Sequence, residues 1–189
     1  MEKIDIIKNF LKNNMNQEQK INRRKALRKV RDMASNRETL TAMAQYFKTG
    51  EHIDILEIGV YRGVSTRCFL EGLTNRIGAG TGHLYSIDIT DRDYVIRKKE
   101  YRDIWTFIHG DSTKVPWDKE VNILFIDGNH WYNGVKADYE KYEPFVKKGG
   151  YIVMHDVTSR GRGFGVNKFW KEIEYPTKII LQYNAMGLG

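Results

Sequence analysis

The apolar positions of this chain change their period near residue 53. Before it they recur at helical spacing. Ile4, Ile7, Phe10 and Leu11 share one face of a first helix, and Ile21, Leu27, Val30 and Met33 one face of a second. Ser35-Asn36-Arg37-Glu38 has the form of a capping box, in which the serine oxygen accepts from the backbone of Glu38 and the glutamate reaches back. The helix that follows would carry Leu40, Met43, Ala44 and Phe47 inward and stop near Gly50. Beyond it, short apolar runs alternate with helical patterns. Ile53–Ile58, His83–Ile89, Trp105–His109, Val121–Ile126, Tyr151–Met154 and Lys178–Tyr183 read as strands; 64–74, 92–101, 132–146 and 166–174 read as helices. Such alternation, with several strands almost wholly apolar, predicts an α/β fold: a doubly wound, mostly parallel sheet covered on both faces. Residues 1–50 form an N-terminal helical segment on a core of 51–189, together one domain.

Composition narrows the classes. A hydrophobic fraction of 41% and only 3 prolines fit a folded globule. No apolar run approaches the roughly 18 residues of a membrane span, and Met1-Glu2-Lys3-Ile4-Asp5 lacks a signal core. The single cysteine, Cys68, allows no internal disulfide and suits a reducing compartment, so a cytoplasmic location is expected. The net charge of +7 gathers early, at Lys20, Arg23, Arg24, Lys25, Arg28, Lys29 and Arg31. That run reads either as the solvated face of the second helix or as a patch for nucleic acid.

Three segments carry candidate chemistry. The first is Glu57-Ile58-Gly59-Val60-Tyr61-Arg62-Gly63-Val64-Ser65, an apolar strand that ends in an acidic residue and two glycines four apart. Gly59 and Gly63 permit a tight turn and close approach to a ligand, and the helix start behind them suits a carboxylate. Ser65 could add a hydroxyl donor, Tyr61 completes the loop, and Glu57 either accepts from a ligand amine or orders the loop. Asp88, at the end of the second strand, can accept from ribose hydroxyls or cap the turn. Asp111 and Ser112, after the third strand, either meet a base edge or form a plain turn. The second segment is Asp127-Gly128-Asn129-His130, where Asp127 emerges at the sheet's carboxyl edge and His130 can serve as general base. The third is Gly149-Gly150 through His155-Asp156. If strands four and five are neighbours, Asp127, His130, His155 and Asp156 meet at one point, where they could hold a divalent cation or manage a proton.

The glycine loop resembles the first motif of class I S-adenosylmethionine-dependent methyltransferases. The pattern I-D-G-N-H-x-Y-x-x-V-x-x-D-Y-E, followed by G-G-x-I-x-x-H-D, is similar to macrocin-type sugar O-methyltransferases and cephalosporin-hydroxylase-like proteins. The loop is also similar to that of catechol-type O-methyltransferases. The resemblance covers about residues 53–157 and implies a Rossmann-like sheet with S-adenosylmethionine as methyl donor. It also implies cofactor contacts from Glu57, Gly59, Tyr61, Gly63, Ser65, Asp88, Asp111 and Ser112. A divalent cation, Mg2+ or Mn2+, would sit at Asp127, His155 and Asp156, and catalysis would fall to Asp127, His130 and Asp156. That fold usually closes with a seventh strand, for which no residues remain, and an unfinished edge would invite a second copy of the chain. The expected activity is O-methylation of a small polar acceptor such as a sugar. Two alternatives stand beside it: a nucleic-acid methyltransferase using the basic helix, and a cofactor-binding member of the fold without turnover. Thr158–Gly165 reads either as a flap over the site or as a solvated loop.

Overall fold

A computed structural model describes residues 36–48, 50–76, 80–159, 165–174, 178 and 188–189. The expected helices before residue 35, the capping serine, the strand beyond Lys178 and the centre of the 158–165 loop lie outside the described residues. The elements are α1 (Asn36–Tyr46), β1 (Ile53–Ile58), α2 (Val64–Thr74), β2 (Gly82–Asp88), α3 (Lys99–Arg102), β3 (Trp105–His109), β4 (Val121–Ile126), α4 (Tyr132–Tyr142), β5 (Val146–Met154) and α5 (Val166–Glu172). Two 3₁₀ turns, Asp93–Val95 and Glu143–Phe145, lie before α3 and after α4.

The strands pair in the order β3-β2-β1-β4-β5, every pair parallel. Strand order reverses between β1 and β4. In open α/β sheets ligands bind at this switch point, outside the carboxyl ends of the strands. The parallel sheet needs cover on both faces because its strands alternate apolar residues to each. Ile53, Ile55, Leu84, Ile123 and Phe125 pack under α1 and α2 with Phe47, Phe69 and Leu70. Leu56, Ile58, Ile87, Leu124 and Ile126 pack on the other face with α4 and α5, through Val135, Tyr142, Phe169 and Trp170. Glycine sets the spacing of the helical layer: a Cβ on Gly72 would stand 2.3 Å from the Thr41 carbonyl oxygen, so α2 lies against α1 with no side chain between them.

Three expectations need correction. The charged helix over 92–101 is a 3₁₀ turn followed by the one-turn α3. Asp91 caps the backbone N–H of Asp93, and Ile96, 1% exposed, turns into the core with extended dihedrals that a continuous helix forbids. The helix predicted over 132–146 stops at Tyr142. Strand β5 begins at Val146 rather than Tyr151. Val121 pairs with Val146 but Ile123 with Tyr151, so the Lys147–Gly150 stretch bulges out of the ladder. At the far edge Leu188 makes an antiparallel bridge to His155, and Gly189 exchanges backbone hydrogen bonds of 2.8 and 3.0 Å with Met154.

Candidate active site

The glycine loop leaves β1 at the switch point. Gly59 has φ +92° and its N–H donates to the Ile87 carbonyl at 2.8 Å. A Cβ there would stand 2.3 Å from the carbonyl oxygen of Asp127, so the turn exists only because the residue is glycine. Gly63, φ +66°, is the N-cap of α2 and supplies no side chain to its free N–H groups. Tyr61 also takes a left-handed conformation, φ +48°, with its ring 64% exposed. Asp88 ties this loop to β2: one carboxylate oxygen accepts from the N–H groups of Val60 and Tyr61 at 2.9 and 3.0 Å, the other from Thr90 at 2.8 Å. The carboxylate expected at the ribose thus also sets the shape of the glycine loop.

Glu57 lies beneath the loop, wholly buried. It accepts from three hydroxyls, Ser65 at 2.5 Å, Thr66 at 2.8 Å and Ser86 at 2.7 Å. Burial pushes its carboxyl up to about 7, against the pull of those hydroxyls. Of its two expected roles, the geometry matches ordering of the loop. Ser65, expected as a hydroxyl donor, gives its hydroxyl hydrogen to Glu57. Trp105 donates its indole N–H to Ser86 at 2.9 Å and closes the network. Thr66, Ser86 and Trp105 were absent from the sequence reading; their signal is polar atoms inside otherwise apolar elements.

After β3, Asp111 accepts from the Thr113 backbone and hydroxyl at 3.0 and 2.7 Å and pairs with Lys114 at 3.2 Å. The Thr113 hydrogen bonds hold its carboxyl below the usual range. Ser112 donates to Asp138 at 2.6 Å, and its carbonyl accepts from Lys141 and Tyr142, each at 2.6 Å. These bonds build a turn clamped to α4.

The strand-end cluster forms as the sequence implies. Asp127 N–H donates to Ile58 and His155 N–H to Ile126, at 2.8 and 3.1 Å, which continues the ladder past β4 and β5 and holds both residues at the edge. Asp156 is 2% exposed and takes a left-handed conformation, φ +61°, that aims its side chain back across the strand ends. His130 Nδ1 meets Asp156 Oδ2 at 2.6 Å, while Nε2 lies 3.9 Å from Asp127 Oδ1. This hydrogen bond to Asp156 raises the His130 imidazole above its ordinary value, against the effect of burial. His155 Nδ1 stands between the carboxylates, 3.3 Å from Asp127 and 3.4 Å from Asp156. Burial pulls the His155 imidazolium down, but Asp127 and Asp156 outweigh it and hold the group up to about 10. Burial also works against the Asp156 carboxylate, yet the two histidines hold it far below the usual range.

Ligand atoms of Asp127, His130 and Asp156 all lie within 4.8 Å of one another, close enough for one ion. Asp156 Oδ1 is a buried oxygen with no well-formed hydrogen bond, and His155 Nδ1 lies 3.4 Å from it. The sequence reading chose His155 as third ligand. The structure brings His130 within reach of both carboxylates and puts His155 between them. A mixed oxygen and imidazole set suits Mn2+ and its neighbours better than Mg2+, which prefers oxygen.

A family model described as a methyltransferase domain matches residues 56–157, over half the chain. The chain belongs to this methyltransferase family. The matched region begins within β1 and ends just after Asp156, so it contains the glycine loop and the strand-end cluster. Solved structures share the class I methyltransferase fold. The Podospora anserina methyltransferase PaMTH1, bound to SAH, superposes with a TM-score of 0.61 at 17% identity, over 84% of this methyltransferase chain and 79% of that one. The MycE methyltransferase of the mycinamycin biosynthetic pathway, in complex with Mg and SAH, gives 0.53 at 20% identity, over 73% of this chain and 44% of that one. A curated relative, the uncharacterized protein y4gI of Sinorhizobium fredii, is 39% identical over 56 residues, 30% of this chain and 6% of that protein. The chain thus spans a small part of that relative and under half of MycE. Among the described residues no helix is long and apolar enough to cross a membrane.

Proposed function

We propose that this chain transfers a methyl group from S-adenosylmethionine to a hydroxyl of a small polar acceptor. The observation that carries this reading is the convergence of Asp127, His130 and Asp156 on strand ends adjoining the glycine loop. The donor would lie across the switch point, its amino-acid portion against the Gly59–Gly63 loop and its ribose at Asp88. Asp88 Oδ1 accepts from one backbone N–H, Thr90, and keeps a lone pair for the ribose. The acceptor would enter above β4 and β5, where the Trp131 ring, 67% exposed, offers a flat apolar face to a sugar.

The chemistry is a displacement at the sulfonium methyl: an O–C bond forms, the S–C bond breaks, and the acceptor proton leaves. The His130–Asp156 hydrogen bond assigns the proton to Nδ1, which leaves Nε2, on the Asp127 side, as the basic atom. His130 would take the acceptor proton there, and Asp156 would stabilise the imidazolium that results. Asp127, His130 and Asp156 could instead hold a divalent cation, which when bound lowers the pKa of a neighbouring hydroxyl. Nε2 cannot be base and ligand at once, so the two roles of His130 exclude each other. The MycE structure with Mg and SAH shares this fold and motivates the cation arm of the test.

The deciding experiment pairs calorimetry with methyl-transfer assays across sugars and other hydroxyl compounds. His130→Ala should lower turnover by about 10²–10⁴-fold while SAH affinity stays unchanged. Turnover equal to the unmodified chain would remove His130 from the reaction. Chelation that abolishes turnover, restored by Mn2+, would assign His130 to the cation instead.

A further inference from the structure

A cavity of about 450 Å³ opens beside the glycine loop on the β2 side. Four arginines line it, Arg62, Arg67, Arg92 and Arg97, together with Tyr61 and Tyr94. They come from three separate places: the loop, the first turns of α2, and the connection after β2. The backbone holds them there. Arg67 donates to the carbonyls of Arg62 and Val95 at 2.9 and 3.4 Å, which fastens the loop to the 3₁₀ turn. The Arg62 and Arg92 guanidiniums lie 5.3 and 5.8 Å from the Tyr61 ring centroid, and Arg92 donates to the Tyr94 hydroxyl at 3.3 Å. Tyr61 and Tyr94 are 64% and 58% exposed.

The charge of this cavity is poorly compensated. Among the described residues, no carboxylate lies within ion-pair distance of Arg62, Arg67 or Arg97. Arg92 reaches Asp88 only at 4.0 Å, and the Nε of Arg92 is buried without a hydrogen-bond partner. Asp93, on the same connection, is paired with Arg102 at 2.5 Å, and Asp91 caps backbone. A methyl donor does not explain four guanidiniums. Its sulfonium and ammonium outweigh its one carboxylate, so the cavity would repel it. Phosphate fits: guanidinium presents planar, paired donors that match phosphate oxygens. The cavity's volume is in the range of small-ligand sites, roughly 300–1,000 Å³, and two exposed tyrosines beside the cations offer a surface on which a base can stack.

We propose that the Arg62–Arg67–Arg92–Arg97 cavity binds the diphosphate of a nucleoside diphosphate or of a compound built on one. This goes beyond the methyl-transfer reading and is tested without acceptor or turnover. Calorimetry on the full chain, with SAH at saturation, measures uridine diphosphate, inorganic pyrophosphate and a short single-stranded oligonucleotide. Uridine diphosphate should bind with SAH present, weaken as salt rises, and bind more tightly than pyrophosphate. Arg97→Glu, and separately Arg97→Ala, should each weaken it, the charge reversal by about tenfold or more, with SAH affinity unchanged as the control for folding. The proposal is overturned if uridine diphosphate does not bind, if SAH displaces it, or if both variants bind it as the unmodified chain does. Pyrophosphate binding as tightly as the nucleotide would remove the nucleoside. An oligonucleotide that binds more tightly than uridine diphosphate would reassign the cavity to nucleic acid.

Discussion

Glu57 is a carboxylate with no access to water, and three hydroxyls replace its hydration. They do not replace it fully, since burial lifts its carboxyl to about 7. In the unfolded chain the group titrates near 4.5. Between those values the folded protein holds a proton that the unfolded chain has released, so stability must fall as pH rises through that window and level off above about 7. The full difference is on the order of 3 kcal/mol. Glu57→Gln keeps an acceptor for the hydroxyls and removes the titration. Denaturant midpoints measured from pH 4.5 to 7.5 should slope downward for the unmodified chain and be flatter for the variant. Parallel slopes would place the titration on another group.

Elements were legible where one signal dominated. The apolar runs of β1 and β4 have no helical spacing to confuse them, and α2 is announced by Gly63; their limits, and those of β3, fall where the sequence puts them. Lys147, Lys148, Gly149 and Gly150 hid the start of β5, because a bulge carries polar and glycine residues that look like a loop. The charge pattern of 92–101 mimicked a helix, while the turn in which the Asp93 N–H donates to the Asp91 carboxylate and a buried Ile96 decided otherwise. The strand-end cluster was readable because parallel topology carries strand ends to one edge. Which histidine stands against the buried carboxylate was not, since the contact of His130 with Asp156 depends on the left-handed turn at Asp156. The arginine cavity escaped for the same reason: its members are far apart in register and share no period. At this scale the clamp between α4 and the turn after β3 is testable. The Tyr142 hydroxyl donates to the Ser112 carbonyl at 2.6 Å, but Lys141 donates to that same oxygen. Tyr142→Phe leaves the carbonyl partnered and the ring packed, so it should cost only about 0.5–1.5 kcal/mol. Tyr142→Ala also empties a site under Trp117 and should cost about 3–5 kcal/mol. Equal losses in chemical denaturation would mean that the hydroxyl, not the ring, holds the clamp.

The described residues form two apolar layers on one sheet, and at its switch point Gly59 lets the ends of β1 and β4 touch. A donor bound across that point contacts the folded state alone, so occupancy must appear as stability. At about one hundred times its dissociation constant, SAH should add about 2.7 kcal/mol, a rise of about 5–10 °C in Tm for a chain of this size. Gly59→Ala has the opposite leverage. Its Cβ would lie 2.3 Å from the Asp127 carbonyl oxygen and its φ of +92° disfavours any side chain. The ends of β1 and β4 must then part, at a cost of about 2–5 kcal/mol. Because the same displacement moves Asp127 and the loop together, the variant should lose the SAH shift as well as stability. A variant that melts lower yet keeps the full SAH shift would separate the packing role of Gly59 from donor binding. An unmodified chain whose melting ignores SAH would leave the methyltransferase fold without a donor site at its switch point.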